Sequence, residues 1–375
     1  MLGKSMAYVE KISKVTPIEG ADKIELATVL GYDVAVKKGQ FKVGDLAVFI
    51  EVDSELPNEP EFAFLASKKF RIKPMRLSKF HIISQGILFS KEDLSRFSIE
   101  WKKGTDCTKV LGIKQIIEDP EEVSEDSSLT KFQQIVKKVD YKLTKFSVYR
   151  NSLHDKVKLV YKPMKCSWAD WMPSKSDEIN AQNIYEKVLN KYKNDEWIVT
   201  EKLEGQNMSV FSTMEKGFFG KKKVVGVCTH SRPILKNDGS SFWTTAVKLE
   251  LLDLLKKLDG EWWIRGEQIG PKIQKNIYHL TKNDFYIFDV YKKVDGKYVK
   301  LQIKEMLRFC EMHHLKVVPI IDSFFKLPET VTEILNYSNG KSELFDTKRE
   351  GVVLRLKNDY NVSFKARSPE YLAEK

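Results

Sequence analysis

The chain has 375 residues, a formal net charge of +11, and a composition that is 42% hydrophobic and 31% charged. This length allows two domains with separate cores, and no apolar run approaches the roughly 20 residues that a membrane-spanning helix needs. The N-terminus lacks a signal-peptide core, and the four cysteines include no CxxC pair. We therefore expect an intracellular protein, cytoplasmic or nuclear, with no membrane partner, disulfide scaffold or zinc site. The positive charge is explained equally well by a polyanionic partner and by a lysine-rich composition with no functional meaning.

Residues 1–117 are rich in short β-forming segments separated by glycines, and no helical periodicity appears before residue 130. The stretch GYDVAVKKGQFKVGD predicts two strands that form a hairpin through Lys37, Lys38 and Gly39. Many short strands with glycine turns are typical of small barrels. Residues 1–117 are therefore predicted to form an all-β domain of the oligonucleotide-binding (OB) type.

The segment SKKFRIKPMRLSKF in this domain carries a cluster of cations with no acid between them, including Lys69, Arg71, Lys73 and Arg76. Aromatic residues, Phe70 and Phe80, alternate with these cations. Cations that follow a phosphate backbone, beside rings that stack on bases, are typical of nucleic-acid-binding OB surfaces. A basic edge strand that prevents edge-to-edge pairing is an equally good interpretation.

Residues 118–160, which open with the acidic stretch EDPEEVSEDSS, are predicted to be a linker or bridging segment. Strand and helix patterns alternate in residues 161–375. The predicted strands are 197–201, 208–213, 224–229, 261–267, 285–291, 316–321, 350–356 and 361–366. The predicted helices are 178–192, 244–258, 301–313 and 329–336. So few helices among so many strands favour an α+β domain of antiparallel sheets with helices.

Polar residues lie in or at the ends of these predicted strands and form a set of motifs. In chain order the motifs are EKLEG (201–205), HSRP (230–233), RGEQIGPKIQKN (265–276), FYIFDVY (285–291), REGVVLRL (349–356) and SFKARS (363–368). Taken alone, a charged residue at the end of a strand is usually part of a solvated turn. The first motif therefore poses a question, which is whether Lys202 is a surface lysine or a nucleophile.

The ordered set resembles the collinear motifs of the covalent nucleotidyltransferases, the superfamily of ATP-dependent polynucleotide ligases and mRNA capping enzymes. Within it the chain looks most like the RNA ligases, because EKLEGQN is similar to the lysine motif of phage-type double-strand RNA ligases. The stretches ADKIELATV, GQFKVGD and LSKFHIISQG, and then WADWMPSKSDEINAQN, resemble ligases that carry an N-terminal OB domain. The resemblance implies a monomeric enzyme of RNA repair that joins RNA 3′-hydroxyl and 5′-phosphate ends. A nicked duplex is the expected substrate, and a clamped break and a tRNA-like loop are the alternatives that stay open.

The resemblance also implies a role for individual residues. Lys202 would attack the α-phosphorus of ATP, a reaction that needs a neutral amine although free lysine has a pKa of roughly 10.4. A further set would bind the nucleotide, with Phe288 stacking on adenine and Arg232 contacting the ribose or a phosphate. That set is Glu201, Asn207, Arg232, Glu267, Phe288 and Lys365. Apart from the resemblance, the basic cluster gives Lys69, Arg71, Lys73 and Arg76 as the predicted RNA-binding residues.

Three glutamates, Glu204, Glu267 and Glu350, are the predicted ligands of Mg²⁺ or Mn²⁺. Carboxylate oxygens suit these hard cations, which keep several waters and use few protein ligands. One position departs from the family pattern. Many relatives carry two lysines as KxK in the last motif, but here the first is Ser363 and only Lys365 remains.

Other functions are weighed against this interpretation. DNA ligases and capping enzymes place an OB domain after the last motif, whereas this chain ends ten residues after Lys365. Capping enzymes also favour an arginine at the position of Asn207. A non-catalytic RNA-binding protein on the same fold is a further alternative, but it predicts inert residues at catalytic positions, and none is found.

Overall fold

The computed structural model describes residues 5–80, 82–116, 178–217, 220–230, 233–234 and 239–374, together with single positions 136, 139, 143, 172, 173 and 237. Most of the predicted linker 118–160 lies outside the described residues. In the part of the chain that is described, no helix is both long enough and apolar enough to cross a membrane.

Residues 5–116 consist of short strands in small antiparallel sheets. The strands are β1 (Ala7–Lys11), β2 (Lys14–Pro17), β3 (Ile24–Val29), β4 (Tyr32–Lys37), β5 (Leu46–Ile50), β6 (Ser54–Glu55), β7 (Arg71–Ile72), β8 (Met75–Leu77), β9 (Ile82–Ser84), β10 (Ile87–Phe89) and β11 (Lys114–Gln115). They pair in the orders β1-β5-β10, β2-β3-β4, β11-β6-β7 and β8-β9, with 3₁₀ turns at Pro60–Lys68 and Ser78–Phe80. Alternate residues of β3 and β4 are buried, as expected for strands with one face on a core.

The hairpin predicted through Lys37, Lys38 and Gly39 is wrong. Strand β4 pairs with β3, whereas the next strand, β5, pairs with β1 and β10 in another sheet. The tight hairpin is instead β3–β4, whose turn residues Leu30 and Gly31 have φ values of 52° and 81°. Positive φ at both central residues is the geometry that matches the twist of paired strands, so the chain reverses there.

The remaining described residues form two larger sheets with helices. The helices are α1 (Ala181–Tyr192), α2 (Ser241–Lys248), α3 (Leu251–Lys257), α4 (Ile303–Met312), α5 (Val331–Ser338) and α6 (Pro369–Glu374). The strands are β12 (Ile179–Asn180), β13 (Trp197–Lys202), β14 (Gln206–Gly217), β15 (Gly220–Cys228), β16 (Pro233–Ile234), β17 (Trp262–Ile269), β18 (Asp284–Val294), β19 (Lys297–Lys300), β20 (Ile320–Phe325), β21 (Gly351–Leu356) and β22 (Asp359–Arg367). The first sheet has the order β12-β22-β21-β13-β20, and the second has the order β16-β15-β14-β17-β18-β19.

Among the described helices, those that pack on each large sheet lie on one of its faces. In the first sheet, Trp197 and Val199 of β13 pack in one core with α1 and α5, and in the second sheet Val210 and Ile264 pack in one core with α2, α3 and α4. Because side chains alternate along a strand, the residues between these apolar positions face the opposite side. Near the end of β13, these opposite faces border a cleft into which polar side chains of both sheets project.

Two predicted elements differ from the structure. The predicted helix 244–258 is two helices, α2 and α3, because Glu250 between them adopts a left-handed conformation with a φ of 55°. The predicted strand 316–321 begins later, at Ile320, and forms the edge of the first sheet beside β13. The other predicted helices and strands of this region are present with shifted ends.

The N-terminal sheets contact the first large sheet beside its outer strands. The hydroxyl of Tyr32 donates to Asn183 Oδ1 of α1 at 3.2 Å, and the Asn183 amide donates to the buried Glu51. Arg367 at the end of β22 lies 4.0 Å from Asp53. These contacts fix the N-terminal part against α1 and β22.

Candidate active site

The chain crosses from the first sheet to the second at the motif EKLEG. Strand β13 ends at Lys202 and β14 begins at Gln206, so Leu203, Glu204 and Gly205 form the crossing. A Cβ at Gly205 would lie 2.4 Å from the backbone oxygen of Gln268 in β17. Only glycine tolerates this approach, and the close contact holds the end of the crossing against the second sheet.

Lys202 is not a solvated turn residue. Its Nζ lies 2.7 Å from Oε2 of Glu350, and the side chains of Lys202 and Glu350 are only 23% and 10% exposed. Strand pairing explains the contact, since Lys202 lies opposite Gly351, the neighbour of Glu350, on β21. The structure thus brings two of the predicted residues into a largely buried ion pair.

A cavity of about 180 Å³ lies beside this ion pair, between the two sheets. Its floor on the first sheet includes Thr200, Val353 and Lys365, which are cross-strand neighbours on β13, β21 and β22. Asn207 and Glu267 line it from the second sheet, where they lie opposite each other on β14 and β17. The further lining residues are Glu178, Glu201, Lys202, Leu203, His230, Phe288, Val318 and Arg355.

Glu267 is the most perturbed acid of the cavity. Burial, together with the neighbouring carboxylates Glu350 and Glu178, raises the pKa of Glu267 to about 8, although Lys202 and Lys365 oppose the shift. Carboxylates that raise one another's pKa share a site that favours additional positive charge. This pair of acids, Glu267 and Glu350, fits a Mg²⁺ or Mn²⁺ ion that takes its other ligands from waters and phosphate oxygens.

The third predicted metal ligand, Glu204, is held elsewhere. It is buried, its Oε1 accepts a hydrogen bond of 2.6 Å from the Tyr371 hydroxyl, and its Oε2 accepts one of 3.4 Å from the Ile277 amide. Glu204 does not line the cavity. Among the residues that the structure describes, no three acids, histidines or cysteines converge as a metal site. The structure therefore does not bring Glu204 together with Glu267 and Glu350.

The predicted nucleotide-binding residues are placed as follows. Phe288, Asn207 and Lys365 line the cavity, each partly buried. Glu201 is 1% exposed, and its Oε2 accepts from the Glu343 amide at 2.8 Å. Its Oε1 is buried with no hydrogen-bond partner among the described residues. Arg232 lies outside the described residues.

A buried ion cluster in the wall of the cavity was not predicted from the sequence. Arg355 of β21 donates to Thr200 Oγ1 at 3.1 Å and to Glu178 at 3.3 Å, and its Nε lies 3.9 Å from Asp289 of β18. Burial opposes ionisation of Glu178, but Arg355 and Lys365 hold its pKa below the ordinary value. Charged residues inside the apolar runs GVVLRL and FYIFDVY were the available signal, because a charge buried in a strand needs a partner.

Two family models match the sequence. A model described as RNA ligase matches residues 195–367, which contain both large sheets apart from β12, and an OB-fold domain model matches residues 6–91. The matched ligase segment includes Lys202, Glu267 and Lys365, which line the cavity, and Glu350, which pairs with Lys202 beside it. Residues 195–367 therefore form an RNA ligase domain.

Solved structures agree over the whole length of this RNA ligase. A Naegleria gruberi RNA ligase variant with AMP and Mn aligns with a TM-score of 0.73 and 25% identity, covering 99% of both chains. Another variant of that ligase, with ATP and Mn, gives the same TM-score, identity and coverage. The same ligase with pyrophosphate aligns with a TM-score of 0.72 and 25% identity, covering 99% of this chain and 98% of that chain. No curated protein sequence matches. An N-terminal OB domain followed by a nucleotidyltransferase domain, as predicted, is confirmed.

The Glu267 environment predicts a specific pH dependence of stability. An unfolded glutamate ionises near pH 4.5, whereas folded Glu267 keeps its proton up to about pH 8. The contribution of protonated Glu267 to the free energy of unfolding is complete below pH 4.5. It is lost as the pH rises from 4.5 to about 8, by at most about 1.4 kcal/mol per pH unit. Glu267→Gln removes the titration, so its unfolding free energy relative to wild type should rise across the window. Denaturant unfolding of both proteins without nucleotide or metal measures this difference. A constant difference would contradict the environment described for Glu267.

Proposed function

We propose that Lys202 is the residue through which this ATP-dependent RNA ligase carries AMP. The observation that supports the assignment is the largely buried Lys202–Glu350 pair at 2.7 Å beside the cavity. The Lys202 nitrogen attacks the α-phosphorus of ATP, a P–N bond forms, and pyrophosphate leaves. The AMP then passes to the 5′-phosphate of RNA and frees Lys202. Attack by the RNA 3′-hydroxyl on that 5′-phosphate forms the phosphodiester and releases AMP.

Residues around the cavity suit an adenine nucleotide whose α-phosphorus faces Lys202. Phe288, with Leu203 and Val318, offers an aromatic and apolar surface for a base. The unpartnered Oε1 of Glu201 is an acceptor that the 6-amino group of adenine can satisfy, which matters because an unpaired buried acceptor is costly. Lys365, across the strand pair from Val353, supplies a cation for phosphate oxygens.

We propose that Glu267 and Glu350 hold the divalent cation. The Naegleria structures with Mn support a metal-dependent ligase, and Mg²⁺ and Mn²⁺ share the oxygen ligands that the two acids offer. When bound, the cation supplies charge stabilisation to the α-phosphate during transfer. Glu350 meanwhile orients the Lys202 amine, and the two acids place the positive charge between the sheets where the phosphates enter.

We propose that the OB domain binds the RNA duplex around a nick, with the ligase acting as a monomer. The predicted cations Lys69, Arg71, Lys73 and Arg76 are all exposed, and Arg71 forms only a surface ion pair of 3.2 Å with Glu55. A phenylalanine in the adjoining 3₁₀ turn, Phe64, is 61% exposed. Exposed cations around an exposed ring suit phosphate contacts together with base stacking.

Replacement of the proposed nucleophile should abolish catalysis. Lys202→Ala should lose both covalent labelling by α-labelled ATP and sealing of nicked RNA, and Lys202→Arg should lose both despite keeping the charge. Lys191→Ala, on the exposed face of α1, is the matched control and should act like wild type. Gel electrophoresis of labelled protein and of RNA product measures both reactions. Label on Lys202→Ala at the wild-type level would reject the assignment.

Loss of a proposed metal-binding acid should slow the chemical steps. Glu350→Gln should lower the rate of AMP transfer to the protein by about 10²-fold, the scale of losing one electrostatic stabiliser of a transition state. The rate is followed across a titration of Mg²⁺ and of Mn²⁺. Glu343→Gln, an exposed acid of the preceding loop, is the control. If Glu350→Gln reached the wild-type rate at any metal concentration tested, the role proposed for Glu350 would be wrong.

The OB surface is tested by the salt dependence of RNA binding. Replacing Lys69, Arg71, Lys73 and Arg76 together by glutamine should weaken binding of nicked RNA, and each lost phosphate contact should reduce the log–log salt slope by about 0.9. Self-adenylation should be largely spared. A variant with the same change in net charge at other exposed lysines of the domain is the control, namely Lys37, Lys38, Lys42 and Lys109. Equal slopes for the two variants would favour the edge-strand interpretation.

A further inference from the structure

The short helix α6 lies directly after the last ligase motif and contacts the crossing segment at the nucleophile. Tyr371 of α6 is 5% exposed, and its hydroxyl donates a hydrogen bond of 2.6 Å to Oε1 of Glu204, two residues after Lys202. Burial and the nearby acids Glu350 and Glu204 raise the pKa of Tyr371, so its hydroxyl keeps the proton that it donates. Glu204 is itself 3% exposed. A hydrogen bond from a neutral donor to a buried carboxylate is among the stronger ones in proteins.

The same helix is tied to the strand that carries Glu350. Ser368 caps α6, because its Oγ accepts a hydrogen bond of 3.0 Å from the Tyr371 amide. The amide of Ser368 in turn donates to the Glu350 carbonyl at 2.9 Å. Helix α6 therefore joins the backbone of Glu350, one member of the ion pair, to the side chain of Glu204, which lies two residues after Lys202, the other member.

The crossing segment is also held from its other side. The Glu204 amide donates to the hydroxyl of Tyr278 at 2.6 Å, and the Tyr278 ring packs on Phe345 with ring centres 4.5 Å apart. The Ile277 amide donates to Oε2, so the hydrogen bonds of Glu204 described here anchor both its backbone and its side chain. None of these contacts is to a residue that lines the cavity, where Glu267 lies.

We propose that Tyr371 is a positioning residue for adenylation, which acts by fixing Glu204 and thereby the place of Lys202 relative to Glu350. This inference rests on the proposed role of Lys202. Glu204 in this chain then serves as the anchor of the crossing segment, and its carboxylate acts on the reaction through position alone. Without the hydroxyl of Tyr371, the segment between the two sheets gains freedom, and the Lys202 nitrogen spends less time in line with the α-phosphorus.

The test compares two tyrosine-to-phenylalanine variants in single-turnover formation of the Lys202–AMP bond, with full-length protein. Tyr371→Phe should lower the rate constant at saturating ATP and Mg²⁺ about tenfold, while the ATP concentration for half-saturation changes less than twofold. Tyr185→Phe is the matched control, since its buried hydroxyl donates to the Pro328 carbonyl at 2.7 Å on α1, away from the cavity. It should keep the wild-type rate constant. Thermal unfolding of both variants shows whether any loss of rate follows from loss of the fold.

Variants of Glu204 separate positioning from metal binding. Glu204→Gln keeps an oxygen that accepts from Tyr371, so it should retain a rate at least several-fold above that of Glu204→Ala, at every metal concentration. The double variant Tyr371→Phe with Glu204→Ala should be no slower than Glu204→Ala alone, because both changes break one contact.

Three results would overturn the proposal. A wild-type rate constant in Tyr371→Phe, with wild-type protein labelled on Lys202, would reject the positioning role and leave the nucleophile assignment intact. Equal losses in Glu204→Gln and Glu204→Ala that higher Mg²⁺ restores would show that Glu204 acts as a metal ligand instead. Wild-type protein that carries no label on Lys202 would reject both proposals together.

Discussion

The ion pair between Lys202 and Glu350 is the constraint on which the cleft depends. A largely buried charge is tolerated only with a partner, and removal of one member leaves the other uncompensated. The pair exists because β13 and β21 are neighbours whose register places Lys202 opposite Gly351. The same register puts Thr200, Val353 and Lys365 in one row on the cleft face. Placement of the Lys202 amine and of the Lys365 cation is therefore a property of the first sheet.

The acids around the cavity divide into two kinds. Glu204 in the crossing segment and Glu201 in β13 are buried and accept hydrogen bonds from backbone amides or a tyrosine hydroxyl, so they hold the chain in place, although Glu201 also lines the cavity. Glu267 lines the cavity, and burial together with the neighbouring Glu350 raises the pKa of Glu267 to about 8. In the proposed function, positive charge that arrives with the nucleotide would offset the cost of ionising Glu267. Conformational anchoring and charge stabilisation are thus assigned to different glutamates of one short region.

Residues with a local pattern could be predicted from the sequence, and residues with only distant partners could not. Lys202, Glu267 and Glu350 each end or begin a strand within a motif, and strand alternation then directs them to one side. Glu204 lies in the same motif, yet its partner Tyr371 is 167 residues away, and no periodicity connects the two. Arg355 and Asp289 could not be predicted for the same reason. Each is a charged residue within an apolar strand, and its partner lies on a different strand. The break between α2 and α3 depends on the backbone of Glu250, a residue type that does not usually mark such a turn.

The most direct measurement of the central claim is sealing by the adenylated protein in the absence of free ATP. The protein is labelled with AMP and separated from free nucleotide, pyrophosphate and metal. One portion is digested, and peptide analysis locates the adduct. The other portion is mixed with nicked RNA and Mg²⁺. The Lys202 assignment predicts AMP on the peptide that contains EKLEG, and one sealed strand with one released AMP for each adduct consumed. An adduct on another lysine, or an adduct on Lys202 that never yields sealed RNA, would contradict it.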